Sequence, residues 1–261
     1  MNIAVDGNIQ AAGITPAVIS ILGLKKSFDA AKPVLDGIDL VIGKGSLVAL
    51  IGANGTGKST LLRCIPKLVL PDSGTIDVFD TPLIGKRGKA LRGLRSKIGF
   101  VFQKHNLVGR LSALSNVVQG AQAQGFGMRA WCQSFASPRL RGEAMACLDR
   151  VGLAHAAGQR ADRLSGGQSQ RVAIARALMQ KSEIVLADEP AASLDPQAGD
   201  DVMQLLLTLM REEGATVVFT SHHLKHAIDY ADRIVGLSGG RVVLDAPAQA
   251  LREQDLRSLY V

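Results

Sequence analysis

The chain has 261 residues, 47% hydrophobic and 20% charged, with 28 glycines and 4% aromatic residues. That composition excludes disordered and collagen-like chains, and the length suffices for a full core. No apolar run approaches the roughly 18–20 residues of a spanning helix. Met1 to Ser20 hold no Lys or Arg, so the basic start of a secretory signal is missing. Cys64, Cys132 and Cys147 form no CxxC, which suggests neither a disulfide framework nor a zinc site and points to a reducing, cytoplasmic chain. The net charge of +7 comes from one segment: residues 81–142 contain eleven Lys or Arg and no acid. Three readings compete for it: a solvated face, an anionic membrane surface, or nucleic acid. The segment has no aromatic ladder, which weakens single-strand binding.

In chain order, residues 1–16 read as a loose leader. Ile19–Leu24 and Ile38–Ile42 read as strands. Leu47–Ile51, LVALI, is a short continuous apolar run of the kind that forms a buried parallel strand. A helical pattern starts at Ser59. Ile98–Phe102 is another apolar run, and 106–163 read as mostly helical. Ile184–Ala187 and Thr216–Thr220 are further buried strands. Arg233–Leu237 and Arg241–Leu244 flank Ser-Gly-Gly, a hairpin signal. Alternating strands and helices predict an α/β fold with a parallel central sheet.

Residues 52–60 read GANGTGKST, with Gly52, Gly57, Lys58 and Ser59 at GxxxxGK[ST] spacing. Glycines let backbone N–H groups approach phosphate oxygens, and the next helix aims its positive end at them. Lys58 is suited to the β- and γ-phosphates and the Ser59 hydroxyl to Mg²⁺; Thr60 adds an α-phosphate contact. Residues 184–190 read IVLADEP. Two acids ending a buried strand are costly without a task. Asp188 is suited to the metal, through water, and Glu189 to orienting and deprotonating an attacking water. Residues 164–171 read LSGGQSQR, ahead of a helical pattern. Ser165, Gly166 and Gly167 thus offer a hydroxyl and bare N–H groups at a helix start, a second anion-binding device.

These ordered motifs resemble the ATP-binding subunits of ABC transporters, over about residues 18–250. GANGTGKST (Gly52, Ala53, Asn54, Gly55, Thr56, Gly57, Lys58, Ser59, Thr60) resembles their Walker A motif. Ser165, Gly166, Gly167 and Gln168 resemble the signature, and Asp188 and Glu189 the Walker B motif with its catalytic glutamate. Gln103 matches the Q-loop glutamine, Ser193, Leu194 and Asp195 the D-loop, and His222 the switch histidine. Phe28 stands where an adenine-stacking aromatic belongs; the alternative is an ordinary core residue. Asn54, Ser169, His223 and Ser46 depart from the common pattern without removing a catalytic group. A metal cluster of His222, His223 and His226 is the lesser reading, because motif order already accounts for His222.

The resemblance implies a P-loop NTPase of ABC type with a parallel core sheet, an antiparallel β subdomain and an inserted α-helical subdomain at about 106–163. The nucleotide-binding domain spans 17–250, followed by a C-terminal helix in 251–261. It implies ATP and Mg²⁺, the metal held by Ser59, Gln103 and Asp188. It implies a head-to-tail homodimer in which Ser165 and Gly167 grip the γ-phosphate in trans, while His222 holds the attacking water and Gln103 reports to the membrane partner. Residues 106–118, NLVGRLSALSNVV, with Trp131 and LADEPAASLDP, resemble phosphonate-import subunits in particular. The implied setting is the cytoplasmic face of the inner membrane, under permease subunits fed by an extracytoplasmic binding protein, with no nucleic acid. Alternatives are import of phosphate, phosphite or another small solute, or a soluble ATPase acting on DNA. The basic segment, including Arg92 and Arg95, is expected to meet lipid or permease.

Overall fold

The computed structural model describes residues 16–29 and 32–260; nearly all of the leader expected at 1–16 lies outside them. LVALI is buried along its whole length and forms β3 (Leu47–Ile51). It sits inside a six-stranded sheet with β6 (Ile98–Val101), β7 (Ile184–Ala187), β8 (Thr216–Thr220), β9 (Arg233–Ser238) and β10 (Arg241–Pro247). The order across the sheet is β10-β9-β3-β8-β7-β6. Every neighbouring pair is parallel except the β9–β10 hairpin at the edge.

Strand side chains alternate between two cores. Leu47, Ala49, Ile51, Val217 and Phe219 face a helical layer, whereas Val48, Leu50 and Val218 face the opposite layer. The helical layer contains α3 (Ala113–Val118), α4 (Pro138–Arg150), α5 (Gly166–Gln180), α6 (Pro196–Glu212), α7 (Leu224–Tyr230) and α8 (Glu253–Arg257). The other layer holds α1 (Lys58–Cys64), α2 (Gly88–Arg95) and an antiparallel sheet of order β2-β1-β4-β5. Its strands are β1 (Ala17–Ser27), β2 (Pro33–Gly43), β4 (Ser73–Val78) and β5 (Thr81–Pro82).

The differences from the sequence reading have local causes. β1 continues through the polar stretch Lys25–Ser27. Lys25 pairs with Asp36 at 3.0 Å and Lys26 with Asp72 at 2.7 Å, so cross-strand charge replaces apolar packing. β4 buries only Ile76 and Val78, too few to register as an apolar run. The stretch expected to be mostly helical breaks into α3, two 3₁₀ turns (Gln119–Gln124 and Gly127–Ala130), α4 and shorter turns. Gly125 and Gly127, both at positive φ, interrupt it.

Candidate functional site

Four consecutive strands of the parallel sheet, β3, β8, β7 and β6, end on one edge. Each delivers one predicted motif: residues 52–60 after β3, His222 after β8, Asp188 and Glu189 after β7, and Gln103 after β6. Ligands of open α/β sheets bind beyond this edge.

The phosphate loop is shaped by contacts that exclude side chains. Gly52 has φ +140°, and a Cβ there would lie 2.2 Å from the Leu237 carbonyl oxygen. Gly57, at φ +97°, starts α1; a Cβ there would meet Leu35 Cδ2 and the Val34 carbonyl oxygen at 2.7 Å. No side chain caps α1 and no acid lies in its first turn, so its leading amides stay available to an anion. Asn54 and Gly55 are exposed at the tip, and Thr56 Oγ1 donates to the Ala53 carbonyl at 2.9 Å. Thr60 is half-buried.

Lys58 is only 4% exposed. Its ammonium donates to the carbonyls of Gly52 at 2.7 Å and Ala53 at 2.9 Å. Burial pushes its pKa below the usual 10.5, an effect opposed by the Glu189 and Asp188 carboxylates. A desolvated ammonium held only by carbonyls gains most from an arriving anion. The loop therefore fits a polyphosphate.

Asp188 is 2% exposed, and its charge is compensated on both oxygens. Ser59 Oγ donates to Oδ1 at 2.7 Å and Thr220 Oγ1 at 3.3 Å, while Arg63 reaches Oδ2 at 3.0 Å. The Thr220 hydroxyl also accepts the Glu189 N–H at 2.8 Å, which holds Glu189 at φ +49°. Glu189 Oε1 lies 2.6 Å from His222 Nε2. A small pocket of about 110 Å³ opens beside this pair, lined also by Met203, Thr220 and His223.

The signature turn is built differently. Ser165 and Gln168 form a reciprocal capping box: Ser165 Oγ accepts the Gln168 N–H at 3.2 Å, and Gln168 Oε1 accepts the Ser165 N–H at 3.0 Å. A Cβ on Gly166 would lie 3.1 Å from Leu194 Cδ2, so the signature turn touches the D-loop of its own chain. Asp195 caps α6 by accepting the Ala198 N–H at 3.0 Å. A cavity of about 270 Å³ opens here, lined by Ser165, Gly167, Gln168, Arg171 and residues of α6. Lys58 and Ser59 are not among its lining residues, so the two anion devices are separate within one chain.

Phe28 is 62% exposed, which removes the core alternative; the Lys26 ammonium sits 5.4 Å from its ring centroid. Gln103 stands exposed two residues beyond β6. Within the basic segment, Arg95 is committed to the carbonyls of Pro66 and Lys67, both at 2.8 Å, and is a structural clamp.

Several groups around the site escaped the sequence reading. Arg63 follows Ser59 by one helical turn, a spacing that points it to the same carboxylate. Arg176 on α5 donates to the carbonyls of His105 at 3.0 Å and Asn106 at 2.7 Å. The turn Ser258–Tyr260 returns to the site: the Leu259 carbonyl accepts the Ala53 N–H at 3.1 Å, and Tyr260 Oη donates to the Ser221 carbonyl at 3.3 Å. Only tertiary contact reveals these last two. Gln170 is fully buried, and among the described residues neither of its side-chain amide atoms has a hydrogen-bond partner. A larger cavity of about 610 Å³, between α4, α5 and the antiparallel sheet, contains none of the predicted site residues.

Among the described residues no helix is long and apolar enough to cross a membrane. A family model described as "ABC transporter" matches residues 35–192. The phosphonates import ATP-binding protein PhnC of Bordetella parapertussis is 47% identical over 246 residues, 93% of this chain and 96% of that protein. The phosphate-import ATP-binding protein PhnC of Mycolicibacterium smegmatis is 50% identical over 227 residues, 87% of this chain and 86% of that protein. Among solved structures, the dimeric ATP-binding cassette MJ0796 with bound ADP and Pi superposes with TM-score 0.77 at 33% identity, covering 89% of this chain and 100% of that one. The cbiO1 protein of Clostridium perfringens, part of the ABC transporter complex cbiONQ, gives TM-score 0.77 at 30% identity, covering 90% of each chain. The chain belongs to the ATP-binding family of ABC transporters.

Proposed function

We propose that this ATPase powers import of phosphonates, as a homodimer on the cytoplasmic face of the inner membrane beneath permease subunits supplied by an extracytoplasmic binding protein. The observation that carries the substrate is the 47% identity to the phosphonates import protein over nearly the full length of both chains. The domain limits 17–250, with a helical part at about 106–163, belong to the same reading.

Lys58 and the open amides of α1 bind the β- and γ-phosphates of ATP, and Phe28 stacks on the adenine. The oxygens of Ser59 and Asp188, with Gln103, suit Mg²⁺. Among the described residues no cluster of three His, Cys, Asp or Glu could hold a metal, so these oxygen donors would hold the ion together with the nucleotide. When bound, the ion neutralises charge on the phosphates. Glu189 orients a water and takes its proton as the water oxygen bonds to the γ-phosphorus. The bond from phosphorus to the ADP oxygen breaks, giving ADP and phosphate. His222 holds Glu189 in place and contacts the γ-phosphate. Ser165 and Gly167 of a second copy close over the nucleotide, which explains a signature turn standing apart from the phosphate loop. Gln103 carries the state of the site to the permease.

A second reading is phosphate import, favoured by the 50% identity to the phosphate-import protein. Uptake of labelled methylphosphonate and of labelled phosphate, in a strain lacking this gene and complemented with it, separates the two. Methylphosphonate uptake restored by the gene supports the proposal. Restoration of phosphate uptake alone overturns it.

A further inference from the structure

His226 is a buried ring beside the hydrolytic pair that none of the steps above uses. It is 3% exposed at the start of α7. Its Nε2 lies 2.5 Å from Asp200 Oδ1, and its Nδ1 lies 3.2 Å from Ser221 Oγ. A carboxylate only accepts, so Nε2 carries a proton. In the neutral ring Nδ1 is then an acceptor for the Ser221 hydroxyl, whose one proton it shares with the His223 carbonyl, also at 3.2 Å.

Ser221 is the residue before His222. Its Oγ also accepts the His223 N–H at 3.0 Å, closing a turn with His222 in the middle. Asp200 belongs to α6, the helix that Asp195 of the D-loop caps. The ring is therefore tied on one side to the D-loop helix and on the other to the loop that presents His222 to Glu189. The rings of His223, at 5.0 Å, and Tyr230, at 6.1 Å, pack around it. The Asp200 carboxyl is held below its usual range, chiefly by the bond to His226.

We propose that His226 is a positioning residue, which holds the His222 loop through Ser221 and is itself anchored to the D-loop helix by Asp200. A shift of α6 at the D-loop then displaces His222 from Glu189, linking closure of the dimer to the hydrolytic pair. The proposal rests on the reading of Glu189 and His222 as that pair. It makes Asp200, His226 and Ser221 one mechanical unit, whose members fail together.

The test is steady-state ATP hydrolysis by the full-length chain carrying Ser221→Ala, His226→Phe or both, with His222→Ala alongside. Phe fills the buried volume without the two ring nitrogens. Each single change is expected to lower kcat by about tenfold or more, within the roughly hundredfold cost of an ångström of misplacement. KM for ATP stays within about twofold, because the phosphate loop is untouched. The double variant falls no further than the worse single one, since both cut the same link. A purely structural role would lower thermal stability without this kcat–KM split or this non-additivity. If His226→Phe does not fold, Asp200→Ala, at a partly exposed position, replaces it in the same cycle.

Retention of kcat within about twofold in the single variants, or losses that multiply in the double one, overturns the proposal. If His222→Ala keeps full turnover, the hydrolytic reading itself fails. If His222→Ala loses turnover while Ser221→Ala and His226→Phe keep it, only the present inference fails.

Discussion

His222 Nε2 stands 2.6 Å from Glu189 Oε1, two side chains delivered by adjacent parallel strands. The contact aims the carboxylate although Glu189 is held in the left-handed region at φ +49°. A non-glycine residue there costs on the order of 1–3 kcal/mol and persists when its surroundings fix it. The bond from the Glu189 N–H to Thr220 Oγ1, and the imidazole at the tip, fix both ends of the residue.

Lys58 gives a pH-dependent signature. Burial makes its ammonium lose a proton more readily in the folded chain than in the unfolded one, whose value is near 10.5. Between the folded and unfolded values the unfolded chain binds more protons, so this group makes stability rise with pH in that window. Thermal unfolding of the nucleotide-free protein, compared across the alkaline range with Lys58→Met, is expected to show that rise in the wild type only. The same variant is expected to lose nucleotide affinity by about a hundredfold, from the lost charged contacts. Equal pH slopes in the two proteins would contradict the burial argument.

Arg176 anchors the segment after the Q-loop to the signature helix. Its two charged hydrogen bonds reach the carbonyls of His105 and Asn106, both at positive φ. Arg176→Met leaves both carbonyls without this donor. The expected cost is about 2–4 kcal/mol in urea unfolding, taking 1–3 kcal/mol for each lost partner with some recovery from water. Arg176→Lys recovers only part of it, because one ammonium cannot reproduce the planar fork. A loss under about 0.5 kcal/mol, the level of an ordinary surface change, would show that the clamp is unimportant.

The cysteines should differ in reactivity. Burial pushes the thiols of Cys64 and Cys147 up to about 11, so the thiolate that reacts is scarce near neutral pH. Cys132, in the stretch between the second 3₁₀ turn and α4, and Cys147, on α4, are half-buried, whereas Cys64 is buried. Alkylation of the native protein at about pH 7.5, followed by peptide mass spectrometry, should label Cys132 first, Cys147 more slowly because its thiolate is scarce, and Cys64 only after denaturation. Early labelling of Cys64 would mean that α1 opens readily.

Much of this was legible in the residues. LVALI and IVLA are continuous apolar runs and TVVFT has an apolar centre between two threonines, and each forms a strand with the predicted limits because both its faces are covered. The motifs at their ends follow directly, since a buried strand leaves its polar successors at one sheet edge. What could not be read depends on contacts between distant segments. Thr220 looks like the last residue of a strand, yet its hydroxyl joins Asp188 to Glu189. Ser165 reads as an anion ligand, and the fold adds a capping task shared with Gln168. Arg95 reads as a free charge in a basic segment, and the fold spends it on two carbonyls. His226 reads from the sequence only as a member of a lesser histidine-cluster alternative, and no such metal-holding group occurs among the described residues; the packing of α7 on α6 places it between Asp200 and Ser221 instead.

The most direct test of the hydrolytic reading is Glu189→Gln, which keeps the shape of the side chain and removes its capacity to take a proton. Hydrolysis and size-exclusion chromatography are measured on the same preparation, with ATP and Mg²⁺ present. The reading predicts turnover lowered by about 10²–10⁴-fold, the usual worth of a general base, with ATP still bound and the protein eluting as a dimer. Turnover within about tenfold of wild type, well inside the range expected without loss of a base, would contradict it.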